Sequence, residues 1–225
     1  MGSAIGDTLS MAVGVAISPI PVIALILMLF SKRARSNGPA FAIGWLLGIA
    51  VVGAIVLAVS GAGDVSSGGA PSTAASAVQL VLGLLLLLMA AGQWRRRPAP
   101  GEEAATPKWM KGIEEFTPGR AAGVGAVLSG ANPKNLLLIV GASVTIAQAG
   151  LSGGQTAIAF TVFAVLASLT VLVPVLGYLL LGERAARVLD QLKTWLSHNN
   201  AAVMAVLLLV FGAVLLGKGI GGLTG

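Results

Sequence analysis

Gly130-Ala131-Asn132-Pro133-Lys134-Asn135-Leu136-Leu137 is the stretch on which the reading of this chain turns. It sets a proline, a lysine and two amides inside an aliphatic run that begins at residue 121 and continues to about residue 149. Near the start of the chain, Ala16-Ile17-Ser18-Pro19-Ile20-Pro21-Val22-Ile23 has a similar pattern without the charge. Both lie in runs long enough to cross a bilayer, which takes about 20 apolar residues. Working outward, six such runs emerge, at 8–30, 39–60, 74–94, 121 to about 149, 155–181 and 201–217. None alternates in polarity as the strands of a membrane barrel do.

The composition agrees. Of 225 residues, 56% are hydrophobic and 10% are charged, against about 25% charged in a soluble domain. There is no cysteine and a single histidine, His198, which makes a disulfide scaffold, a metal site or a serine hydrolase a poor expectation. The net charge of +6 does not point to nucleic acid, because the basic residues sit between apolar runs. Lys32, Arg33 and Arg35 follow the first run. Arg95, Arg96, Arg97, Lys108, Lys111 and Arg120 follow the third. Arg184, Arg187 and Lys193 follow the fifth. The intervening loops, 61–73 and 150–154, carry no Lys or Arg. The positive-inside rule places the basic loops in the cytoplasm and both termini outside. Met1 to Asp7 carries no basic side chain, so the first run reads as a retained helix rather than a signal peptide.

Two cytoplasmic stretches are amphipathic: 107–118, through Trp109, Ile113 and Phe116, and 183–198, through Val188, Leu192 and Trp195. Such segments lie in the headgroup layer. With three runs before the linker and three after it, the halves are inverted in topology. The expected organisation is a first three-helix repeat at 1–97, a cytoplasmic linker with an amphipathic helix at 98–119, and a second repeat at 120–225. The proline-bearing stretches open each half. The third and sixth runs echo each other as Ala77-Val-Gln79-Leu-Val-Leu-Gly83 and Ala205-Val-Leu-Leu-Leu-Val-Phe-Gly212. Gly44 and Gly48 have the spacing of close helix packing.

Proline removes a backbone donor and frees a carbonyl one turn back. In lipid, freed groups persist only where protein or a water-filled cavity receives them. Interrupted helices at matching places in inverted halves point to a transporter binding site. Pro19, Pro21 and Pro133 are therefore the expected helix breaks and hinges, whereas Pro174, alone in the fifth run, reads as a simple kink. Lys134 lies 14 residues past Arg120, roughly 20 Å along a helix axis, too deep to reach the cytoplasmic face comfortably. Placing it there costs at least about 2.5–3.5 kcal/mol. No acidic residue occurs within the six runs, so the expected partner of Lys134 is a helix C-terminus, backbone carbonyls or an anionic ligand. The expected substrate-binding residues are Lys134, Asn132, Asn135, Ser18 and Ser129. No catalytic residue, metal ligand or cofactor is expected, and no phosphate-binding Gly-Lys-Ser/Thr loop is present.

Asn132-Pro133-Lys134 in the second half, Pro19-Ile20-Pro21 in the first, and six helices in two inverted triplets resemble the LysE superfamily of exporters. The first 60 residues, with Ala4-Ile-Gly-Asp7 and Ser31-Lys-Arg-Ala-Arg35-Ser-Asn-Gly38, are most similar to its actinobacterial GAP/Sap branch. That branch is named for addressing glycopeptidolipids or sulfolipids to the cell surface. Ile20 stands where amino-acid exporters of the superfamily carry glycine, which points away from small amino acids. The resemblance implies an all-α integral membrane protein of the bacterial inner (plasma) membrane. It would export or flip an anionic amphiphile, a lipid or lipid-linked glycan precursor of the cell envelope, by alternating access. The alternative is a small-solute exporter of amino acids or ions coupled to the proton gradient. The expected partners are membrane lipids and an anionic lipid or small anionic substrate. A homodimer and cell-envelope biosynthesis enzymes are candidate protein partners, and nucleic acid is not.

Overall fold

A computed structural model describes residues 1–63, 73–95, 112–113 and 115–224. Among the described residues there is no strand. The first run forms α1 (Gly2–Ala16) and α2 (Pro19–Leu29), which meet at a bend of 54°. The next two are α3 (Ala34–Gly63) and α4 (Thr73–Arg95). The fourth is α5 (Pro118–Ala126), a π-helical turn (Val127–Ala131) and α6 (Pro133–Ala147). The fifth divides into α7 (Gly153–Ala167) and α8 (Leu169–Leu181), bent by 62°. The last helix, α9 (Glu183–Thr224), is 42 residues long.

By length and composition, α3, α4 and α9 can each cross a membrane, and each bent pair can serve as a further span. The described residues form helices and their connections, and the chain is a multi-pass membrane protein. Its fourth run is held together differently, because α6 is a short apolar helix that continues from the π turn and α5.

The fifth run breaks at Ser168, a break not expected from the sequence, while α8 continues through Pro174. Ser168 Oγ donates to Ala164 O at 2.6 Å, and Ser168 O accepts from both Val171 N and Leu172 N, so the turn closes at the serine. The amphipathic stretch 183–198 is no separate surface helix but the first turns of α9, continuous with the sixth run. Its Val188 and Trp195 stay exposed while Leu189 and Leu196 are buried. Of the 98–119 linker, residues 98–111 and 114 lie outside the described residues. Its end docks inward: Ile113 is buried, and Asn37 Nδ2 donates to Phe116 O at 2.8 Å.

The helices close on one another through glycines. A Cβ on Gly44 would lie 1.9 Å from Ala122 O, and one on Gly125 would lie 2.3 Å from Phe41 O, so α3 and α5 cross with their backbones in contact. A Cβ on Gly83 would stand 2.9 Å from Gly212 O, and one on Gly212 would stand 3.0 Å from Gly83 O. The two echoed positions thus face each other where α4 meets α9. Helix α1 packs on α6 and α7, with Met11, Ala12 and Val15 fully buried. The breaks described next lie at its inner end.

Candidate functional site

The carbonyls at the end of α1 have no continuing helix to receive them. Each finds a partner. Gly14 O loses Ser18 N, which turns instead to Ala16 O at 2.8 Å. Val15 O and Ile17 O would pair with residues 19 and 21, both prolines without an N–H. Ser18 Oγ donates to Val15 O at 2.6 Å. Thr170 Oγ1, from the start of α8, donates to Ala16 O at 2.5 Å. Lys134 Nζ donates to Gly14 O and, at 3.1 Å, to Ile17 O. Its third proton goes to Ser18 Oγ at 2.8 Å. The ammonium therefore sits at the C-terminal end of α1, where the helix dipole favours a cation.

The second break follows the same local grammar. Asn132 caps α6, its Oδ1 accepting from Lys134 N at 3.1 Å, and Pro133 takes the first helical position, where a missing N–H costs nothing. Ser18 and Pro19 occupy the equivalent places in front of α2. In the π register Leu128 O would pair with residue 133, which is proline; Asn135 Nδ2 donates to it instead at 3.0 Å. Asn135 Oδ1 lies 3.0 Å from Ser18 Oγ, whose single proton is shared between it and Val15 O. The two broken helices thus meet side by side. Lys134 is 1% exposed, and Ser18 and Asn135 are equally enclosed.

Of the expected site residues, Lys134, Asn135 and Ser18 form one hydrogen-bonded cluster, and Asn132 holds it from the backbone side. Ser129 stands apart. Its Oγ donates to Ala126 O of its own helix at 3.1 Å, and it packs against Gly48, where an added Cβ would lie 2.1 Å from that oxygen. Among the described residues the one ion pair, Lys193 with Asp190 at 2.7 Å, is at the surface, so Lys134 is held by dipoles alone. No group of three or more His, Asp or Glu side chains gathers as a metal site among the described residues.

Thr170 is a site residue that sequence reasoning misses; its one signal is Ser168-Leu-Thr170, a polar pair inside an apolar run. Gln79 joins two helices: its Nε2 lies 3.2 Å from both Thr145 Oγ1 and Gln148 Oε1. That bond ties α4 to the far end of α6. Beside it Lys218 Nζ donates to Asp7 O at 2.9 Å, joining α9 to α1. These residues surround a polar cavity of about 420 Å³ at the end of the bundle that holds the first residues of α1 and the last of α9. A second cavity, of about 440 Å³ and almost wholly apolar, lies on the other side of the Lys134 cluster. Ala16, Ile17 and Ser18 form its inner wall, and α8 and the first turns of α9 enclose the rest.

No curated protein and no solved structure matches the chain. One family model does, that of "Sap, sulfolipid-1-addressing protein", over residues 8–221. This interval runs from within α1 to within α9 and includes both broken helices and the cluster between them. The chain belongs to the Sap, sulfolipid-1-addressing protein family.

Proposed function

We propose that this protein exports or flips an anionic amphiphile, a lipid or lipid-linked glycan precursor of the cell envelope, across the plasma membrane by alternating access. The observation that carries the reading is the Lys134 ammonium, buried at mid-chain without a carboxylate and held between two interrupted helices. An intramembrane cation with neutral partners suits an anion that can take over those hydrogen bonds at full charge. The polar cavity and the apolar cavity lie on opposite sides of this cluster, as access routes on either side of a plug would. Membership of a sulfolipid-addressing family agrees with a lipid substrate.

On this reading the chain crosses six times, as two inverted three-helix halves with both termini outside. Three observations support it. The proline breaks of the two halves touch through Ser18 and Asn135. Gly83 and Gly212 approach each other across α4 and α9. The packing of α3 on α5 is matched by that of α1 on α7, as exchange of the halves requires. All three ammonium protons of Lys134 are engaged here, so a headgroup binds only once the ammonium leaves the α1 carbonyls. Its release unlocks the break, and its return after delivery resets it. The protein makes and breaks no covalent bond in this cycle.

The test is transbilayer movement in proteoliposomes, with fluorescent phosphatidylglycerol and phosphatidylcholine as anionic and zwitterionic probes. Wild type is expected to move the anionic probe faster, and Lys134→Gln to lose that preference with its fold intact. Equal rates for the two probes in wild type overturn the proposal. Movement of a small anionic solute, with neither lipid moved, transfers the site to the small-solute reading.

A further inference from the structure

The apolar cavity has a shape and a direction that the headgroup site does not explain. Its floor is Ser18 and Val22, both almost fully enclosed, at and just past the junction of α1 and α2. Its mouth is Val173, Leu192 and Trp195, which are exposed to the surroundings of the helix bundle, Val173 at 61% and Trp195 at 55%. Past the 62° bend between α7 and α8, α8 and the first turns of α9 together form its outer walls. Those turns carry exposed Arg184 and Arg187, and Lys193, whose ammonium lies 5.4 Å from the centre of the Phe30 ring. A tryptophan beside basic residues is the composition of a membrane–water interface. From rim to floor the cavity therefore runs from the headgroup layer on the side of the basic loops toward the middle of the bilayer. A lipid of that leaflet lies the same way, chain inward and head among the bases.

We propose that this cavity is a lateral portal that takes a single acyl chain of a lipid from the leaflet next to the basic loops. The chain docks before the headgroup leaves the rim of Arg184, Arg187 and Lys193. The ligand class follows from the lining: the hydroxyls of Ser18 and Thr170 already spend protons on α1 carbonyls, and apart from the Trp195 indole at the mouth the other side chains carry no polar atom. Inside the mouth a headgroup would find no free donor, whereas an alkyl chain needs none. The volume, about 440 Å³, falls in the range of small-molecule sites. A chain seated on Ser18 is one hydrogen bond from Lys134, so occupancy is felt directly at the break. The portal rests on the reading of the protein as a lipid carrier, and it is tested by contact rather than by movement.

The probe is phosphatidylglycerol with a photoactivatable diazirine near its chain end, incorporated in vesicles with the full chain, with adducts mapped by peptide mass spectrometry. Exterior residues such as Val51 and Leu88 will be labelled by any surrounding lipid. Val22, at 4% exposure, is reached only from within the cavity. Adducts at Val22 are expected in wild type. Val173→Trp is expected to reduce them roughly tenfold by filling the mouth, the effect of about 1.4 kcal/mol of lost chain binding. Leu192→Trp serves as an independent plug from the opposite wall. Labelling confined to exterior residues overturns the portal, as does labelling of Val22 unaffected by both plugs. If Val22 is labelled but neither lipid probe is moved, the transport reading fails and the chain site stands. If lipid is moved without labelling of Val22, the portal fails and the transport reading stands.

Discussion

Lys134 is the residue on which two halves of the chain agree. Its three protons satisfy Gly14 O, Ile17 O and Ser18 Oγ, so its removal orphans backbone oxygens as well as deleting a charge. An unsatisfied buried carbonyl costs about 1–3 kcal/mol, partly offset by no longer burying an ammonium. Lys134→Met is therefore expected to lower stability by about 2 kcal/mol. Thermal unfolding in mild detergent checks this, and an unchanged midpoint would show that water reaches those carbonyls. Much of this site is legible in the sequence. Prolines at 19, 21 and 133 announce how many donors are missing, and a lysine deep in an apolar run announces that something must accept from it. The pairing is not legible. From sequence, the nearest neutral partners for Lys134 are carbonyls freed at its own Pro133 break, whereas the structure gives it Gly14 O and Ile17 O, freed at Ser18 and Pro21. Tertiary packing alone decides which helix end meets which side chain.

At the level of elements, the apolar runs and two of the three breaks follow from a short rule: a small polar residue, then proline, begins a new helix. Ser18-Pro19 and Asn132-Pro133 obey it. The third break does not, because Ser168 is followed by leucine and closes its turn through its own hydroxyl. In that run Pro174 lies inside α8, beyond the break. The Gly44/Gly48 spacing is a weak signal in a chain with 31 glycines, yet it marks the tightest helix crossing in the fold. Gly44→Val drives a side chain into Ala122 O and forces α3 from α5. Overpacking of this kind costs about 1–3 kcal/mol where side chains can yield, and here the obstacle is backbone. The variant is expected to aggregate or to unfold well below wild type in a detergent thermal ramp. Gly123→Ala, whose Cβ would meet nothing within 4 Å, should match wild type in the same ramp. Equal behaviour of the two variants would refute the crossing.

For the whole molecule, the absence of cysteine makes sidedness directly measurable. Ser3→Cys and Thr224→Cys, at exposed positions near the polar cavity, are expected to react with a membrane-impermeant maleimide in intact cells. Ser36→Cys, exposed beside Arg33 and Arg35, should react only after the membrane is opened. The opposite pattern would invert the direction of transport, and labelling of all three in intact cells would break the six-span topology. The cluster that joins the halves also sets a schedule for biogenesis. Ile17 O and Lys134 Nζ are 117 residues apart in the chain. At about 5–20 residues per second, roughly 6–23 s separate their synthesis. Through that interval the end of α1 has left the ribosome with bare carbonyls and no ammonium to receive them. The first helix therefore cannot settle in lipid when it is made; it must be sheltered by the insertion machinery, or kept near water, until the fourth arrives to complete it.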